Sequence, residues 1–197
     1  MEKLSRKVVR SLVENGNISK EHEAVYQYAL QSVLILGANI ALSLVIGLLM
    51  NRVGYCMIFL CAMIPLRSNA GGYHASNLAV CYILSFTALI TTLLLAGKTE
   101  AHWLITLTAA ASASAVLIFI HAPLDTGNRR LDDEEKKRIG SKARWIVITE
   151  LLAGFLFLLV NPSVSYMVWG AISWCAVGYI AWFIQQKLEI DGEHEKA

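Results

Sequence analysis

Charges vanish from this chain over one stretch after another, each of a length that matters to a lipid bilayer. Apolar spans run at about 32–50, 53–66, 77–96, 103–120, 144–160 and 165–184. A helix rises about 1.5 Å per residue and the hydrocarbon core is about 30 Å thick, so roughly 20 apolar residues cross it. Hydrocarbon offers the backbone no water, so each crossing segment must satisfy its own hydrogen bonds as a helix. Five of the spans have the length; the second, about 14 residues, would reach only roughly 21 Å. The expected fold is all-α: a polytopic membrane protein with six transmembrane helices. The chain is 56% hydrophobic and 16% charged, against about a quarter charged for a soluble domain.

Positive charge decides whether the short second span crosses. With six crossings and both termini cytoplasmic, the inner segments hold 15 Lys/Arg: five before the first span, Arg67, seven from Arg129 to Arg144, and Lys187 and Lys196. The outer segments hold only Arg52 and Lys98. If the second span stayed on one side, the 121–144 loop and its seven cations would be translocated, against the positive-inside rule. A short but complete crossing, eased by local thinning or a sunken loop, is expected.

Before the membrane core at 32–184 lies a segment, 1–27, read as amphipathic and interfacial. Leu4, Val8, Val9, Leu12 and Val13 fall near one helical face, with Lys3, Arg6, Lys7 and Arg10 largely elsewhere. That is the pattern of a helix lying on an anionic leaflet. It lacks the unbroken apolar stretch of a signal peptide. Asn15-Gly16-Asn17 ends it, and Ser19 is placed to cap the next helix. The whole of 1–197 reads as one membrane domain with the lipid bilayer as its main partner. In the one long polar loop, 121–144, Asp132/Lys136, Asp133/Lys137 and Glu134/Arg138 are i,i+4 pairs suited to a surface helix.

Several classes drop out. A net charge of +2 is too small to suggest nucleic-acid binding. Cys56, Cys61, Cys81 and Cys175 form no CxxC pair and sit inside apolar runs, so neither a disulfide framework nor a zinc site is indicated. No metal and no organic cofactor is expected. Cys56, Cys61 and Cys175 read as small packed residues. Trp103, Trp145, Tyr166, Trp169 and Trp182 read as interfacial anchors. Glu150, several residues into the fifth span, is costly there and is read as structural, turned toward the inner interface.

One constellation could carry chemistry. Between the second and third spans the chain reads Pro65-Leu-Arg-Ser-Asn-Ala-Gly-Gly-Tyr-His-Ala-Ser-Asn-Leu-Ala-Val-Cys81. It is read as an inner-side loop that packs Arg67, Asn69, Gly71, Gly72, His74, Ser76 and Asn77 ahead of a cysteine. A nucleophilic cysteine acts as its thiolate and needs a base or positive potential nearby. His74 is the one histidine close in sequence to any cysteine. Seven residues along one straight helix would separate it from Cys81 by about 10.5 Å, so the chain must turn between them. Ser76 or Asn77 is a suitable N-cap there. Cys81 would then lie one turn into the third span, its side chain leaning back toward the positive end of the helix. Packed thiol and unremarkable interfacial histidine remain the alternative. Asn69 or a backbone carbonyl is available to orient His74.

In Arg67-(x)4-Gly72-Tyr73-His74-(x)6-Cys81, after a short second span, the chain resembles the accessory gene regulator B family of membrane endopeptidases. These process quorum-sensing pro-peptides in Gram-positive bacteria. Length, six spans, the basic start and Ala122-Pro123 opening a charged loop agree with it. The resemblance implies a membrane cysteine endopeptidase at the cytoplasmic face of the cell membrane. His74 would be general base and Cys81 nucleophile against a membrane-associated pro-peptide, whose tail leaves before a thioester closes into a cyclic thiolactone or lactone. It implies substrate binding or structural support for Arg67 and Gly72. Docking of an acidic precursor tail at Arg129, Arg130, Lys136, Lys137 and Arg138 is a further expectation. A non-proteolytic peptide exporter and a membrane scaffold are the rival readings. Gly37, Gly47, Gly170 and Gly178 would permit close packing in a homodimer.

Overall fold

The computed structural model describes residues 2–15, 18–72, 78–98, 100–124 and 132–194. Among them the regular structure is helical throughout: α1 (Glu2–Glu14), a 3-10 turn (Lys20–His22), α2 (Glu23–Leu49), α3 (Val53–Ala70), α4 (Leu78–Leu95), α5 (Ala101–His121), α6 (Asp133–Leu158) and α7 (Pro162–His194). Each expected span falls on one of α2 to α7. Four helices are long and apolar enough to cross a membrane: Lys20–Leu49, Val53–Ala70, His102–His121 and Pro162–Leu188. The apolar part of α4, Ala79–Leu95, is shorter, and α6 opens on three turns rich in charge. Among the described residues, length and composition therefore establish four candidate spans, fewer than the six expected.

The chain divides into two compact units, residues 1–46 and 47–197. In the first, α1 exposes Arg6, Lys7 and Arg10 while Val9 is buried, and Arg10 pairs with Glu14 at 3.0 Å. Val8, expected on the apolar face, is exposed. The long α2 follows.

In the second unit α7 is the central helix, packed against α3, α4, α5 and α6. From Ser165 to Ile172 every residue of α7 is buried, as expected of a helix apolar on all sides. Tyr166 and Trp169 belong to that stretch, so the anchor reading fails for both. A Cβ on Gly154 of α6 would fall on the Trp169 indole, and Phe155 meets the same ring edge-on at 5.2 Å. Hydroxyls inside the apolar helices donate to their own backbone, Thr92 to Ala88 at 2.7 Å and Ser173 to Trp169 at 2.8 Å. Such back-bonding lets polar side chains sit without partners from another helix.

The helices share two ends. At one, Arg52 donates from Nη1 to the carbonyls of Leu93 and Ala96, and the Gly97 N–H donates to Ser163 Oγ at 3.1 Å. At the other, the Leu124 N–H donates to the Ala70 carbonyl at 3.0 Å, and Pro123 lies against Gly140 of α6. Successive helices from α3 to α7 therefore alternate in direction.

Two expectations about length change. α3 does not end near residue 66 but continues through Pro65 to Ala70, giving 18 residues or about 27 Å. Pro65 withholds the N–H that would meet the Cys61 carbonyl, and the helix nonetheless continues through it. One turn on, Ser68 Oγ and Asn69 Nδ2 bond back to the Ile64 and Pro65 carbonyls at 2.7 Å and 2.8 Å. The thinning expected of a 14-residue span is not needed. The acidic–basic segment after residue 132 is likewise not a separate surface helix: α6 runs unbroken from it into the fifth apolar span. Asp132 caps α6, its Oδ1 accepting the Asp133 N–H at 2.8 Å, and Asp133, Glu134 and Glu135 face the positive helix end.

The glycines read as a dimer face pack largely within the chain. Gly47 lies against Cys56, Gly170 against Thr92 and Gly178 against Arg67; Gly37 has nothing within 4 Å. These contacts lend the homodimer no support.

Candidate active site

The second and third apolar spans end and begin around a turn that α7 holds. At the end of α3 the Gly71 N–H donates to the Arg67 carbonyl at 3.2 Å. The last carbonyls of a helix lack partners in their own helix. That of Ala70 accepts two bonds, from Tyr179 Oη at 2.6 Å and from the Leu124 N–H at 3.0 Å. Gly71 then takes φ +78° and Gly72 φ +117°, a region open to glycine and strained for other residues. Both turns are also crowded. A Cβ on Gly71 would stand 2.5 Å from the Leu124 carbonyl oxygen, and one on Gly72 would stand 2.7 Å from Arg67 Nη1. Gly72 is buried.

Arg67 and Asn69, expected in a loop, lie on the last turns of α3. Ser68 and Asn69 bond back to carbonyls one turn earlier. The Asn69 amide nitrogen is engaged on the Pro65 carbonyl. Arg67 turns inward: Nη1 donates to the Gly71 carbonyl at 3.4 Å, the guanidinium lies against Gly72 and Gly178, and it reaches the Cys175 thiol. The structure thus brings Arg67 and Gly72 together, with α7 as their common support.

Cys81 is the fourth residue of α4 and half-exposed. It stands in the first turn, where N–H groups lack helical acceptors and the dipole is positive. His74 lies outside the described residues, as do Tyr73, Ser76 and Asn77. Of the other thiols, Cys56 and Cys175 are buried, as expected of packed residues, but Cys61 is exposed on the flank of α3. Its surface is what an apolar helix presents to lipid.

Beyond the Ala122–Leu124 turn, the charged half of α6 borders a groove of about 550 Å³ lined by Glu134, Lys137, Arg138, Ser141 and Lys142. Arg129 and Arg130, expected to join this surface, lie outside the described residues. Arg144 donates from Nε to the Phe119 carbonyl at 3.1 Å and lies over the Phe119 ring. One carboxylate oxygen of Glu150 is enclosed and has no hydrogen-bond partner among the described residues, and the group is near enough to Cys175 to act on it electrostatically.

Sequence reading missed Tyr179 and misassigned Gly178. Both sit in the apolar run of the sixth span, and the partner of Tyr179 is 109 residues away. No local signal could have found them.

The family model described as accessory gene regulator B matches residues 5–184. That stretch takes in α2 to α6, the Gly71–Gly72 turn, Cys81 and the α7 residues that support Arg67. No curated protein matches the chain, and no solved structure does.

Proposed function

We propose a catalytic reading on the premise that this chain belongs to the accessory gene regulator B family. Membership supports a role in quorum-sensing peptide processing at a membrane. The chemistry we infer is that of a cysteine endopeptidase, with Cys81 as nucleophile and His74 as general base. The observation that carries it is the position of Cys81, half-exposed in the first turn of α4, a short connection after the Gly71–Gly72 turn.

His74 takes the proton from Cys81 Sγ, and the thiolate attacks the carbonyl at the end of the signal segment. Its developing oxyanion is stabilised by the open N–H groups at the start of α4. As the peptide bond breaks, the imidazolium returns the proton and the tail leaves as an amine. The signal segment is then a thioester on Cys81. A thiol or hydroxyl within that segment attacks the thioester carbonyl, giving its own proton to His74. The ring closes as a thiolactone or lactone, and Cys81 regains its thiol. Exchange of one thioester for another is nearly isoenergetic, so a thiolactone needs no ATP. A site that limits water protects the acyl-enzyme from hydrolysis.

In the same reading α2 to α7 cross six times, both termini are cytoplasmic, and α1 lies on the inner leaflet by its apolar stripe. The alternation of α3 to α7 supports this, as does the excess of Lys/Arg on the inner segments. α4 crosses despite its length, and α6 enters on its charged turns and crosses by its apolar half. A cysteine placed at Ser141 is therefore expected to resist a membrane-impermeant maleimide in intact cells and to react after permeabilisation. Labelling in intact cells would overturn the topology.

The peptidase is tested by co-expression with a candidate precursor, following tail release on a gel. Cys81→Ala is expected to abolish release while the protein still enters the membrane, and Cys61→Ala to leave release unchanged. Normal release in Cys81→Ala would remove the proposal and leave the exporter and scaffold readings.

A further inference from the structure

The helix that holds the catalytic turn in place is α7, and two of its neighbouring residues do so by different means. Tyr179 donates its hydroxyl to the Ala70 carbonyl at 2.6 Å, and its ring flanks Gly72, 3.5 Å from where a Cβ would stand. Gly178 provides the space in which the Arg67 guanidinium lies; a Cβ there would overlap Arg67 Nη1. Arg67 in turn bonds the Gly71 carbonyl at 3.4 Å and also lies against Gly72. The backbone therefore leaves α3 beside a tyrosine of α7 and an arginine that packs on α7, two residues before His74 in sequence. α7 also packs on α4, the helix that carries Cys81, through Gly170 against Thr92. α7 thus seats the turn that precedes His74 in sequence, while this contact with α4 lies 11 residues beyond Cys81.

We propose that Gly178 and Tyr179 are positioning residues for the His74–Cys81 dyad, acting through Arg67 and the Ala70–Gly72 backbone. This rests on the peptidase reading above. It also assigns Arg67 a role: the guanidinium is a strut between α7 and the turn, and binding a substrate carboxylate is not its task.

The test needs no substrate. The full chain in lipid nanodiscs is treated with iodoacetamide at neutral pH, and modification of Cys81 and of Cys61 is followed by mass spectrometry. A general base that is in place makes the Cys81 thiolate available, so the alkylation rate reports its position. Tyr179→Phe, which keeps the ring and loses one hydrogen bond, is expected to slow Cys81 alkylation roughly three- to tenfold. Gly178→Ala is expected to slow it likewise, and Gly178→Val more. Cys61, midway along the lipid-facing flank of α3, should stay protected in every variant, because a thiolate does not form in hydrocarbon. Its alkylation would report loss of fold and so separates that from loss of position. Gly178→Val can fail to insert, and Tyr179→Phe and Gly178→Ala then decide the question. Wild-type Cys81 reactivity in both would overturn the positioning role. In tail release the same variants should lower kcat with KM within about twofold of wild type; a raised KM with kcat intact would instead make Arg67 a substrate-binding residue and overturn the proposal. A wild-type Cys81 that reacts no faster than Cys81 in His74→Ala would overturn the dyad itself, an outcome distinct from all of these.

Discussion

His74→Ala is expected to slow tail release by roughly two to four orders of magnitude, the usual worth of a positioned general base. The thiol remains, but it must find its thiolate without help, and the leaving amine must find a proton from solvent. The loss should be one of rate, with the protein still in the membrane. Cys81→Ala combined with His74→Ala should be no slower than Cys81→Ala alone, because groups that act as a unit lose their joint effect once. His102→Ala serves as the control: that ring stacks beside Trp103 at a centroid distance of 5.1 Å, at the helix end remote from Cys81. Release within about threefold of wild type in His74→Ala, too small a change for a lost general base, would remove the imidazole from the mechanism.

The second large effect is expected at Gly72. Alanine there must adopt φ +117°, at a cost of roughly 1–3 kcal/mol for a residue with a Cβ. It must also displace the Arg67 guanidinium from 2.7 Å while the Tyr179 ring stands 3.5 Å away. The turn can relieve this only by moving off α7, which displaces the point from which the chain leads on to His74. Tail release in Gly72→Ala should fall by roughly tenfold or more, the kinetic equivalent of that strain, with membrane insertion retained. Gly54→Ala is the matched control, since that glycine lies in α3 with nothing within 4 Å of a Cβ and should behave as wild type. Equal release in the two variants would show that the turn places no limit on the chemistry.

How far the sequence could be read depended on how local each signal was. Apolar runs located each of α2 to α7, because burial in hydrocarbon is a property of a segment taken by itself. Boundaries failed where a helix outran its apolar stretch, as α2, α6 and α7 do by nine or more residues at one end. Pro65 and Arg67 looked like the end of a span, but α3 continues through both to Ala70. The acidic and basic turns after Asp132 looked like a connector, yet the capped start of α6 propagates without interruption into apolar sequence. Tyr166 and Trp169 looked like interface anchors, because amphipathic rings favour the membrane boundary; the first turns of α7 instead bury them inside the bundle.

The candidate site divides in the same way. Cys81 one turn into its helix and the glycine pair before it were legible, since each depends on residues only a few positions apart. The seat of that site was not. Tyr179 on the Ala70 carbonyl and Gly178 beneath Arg67 join segments more than 100 residues apart, and nothing in either segment alone marks the other. Sequence by itself determined what each stretch is, a helix for lipid or a turn for glycine, because solvent and backbone act locally. Which helix stands at the centre, and which of its faces holds the turn, was decided only when the helices packed, because side-chain volume and partner geometry exist only between elements.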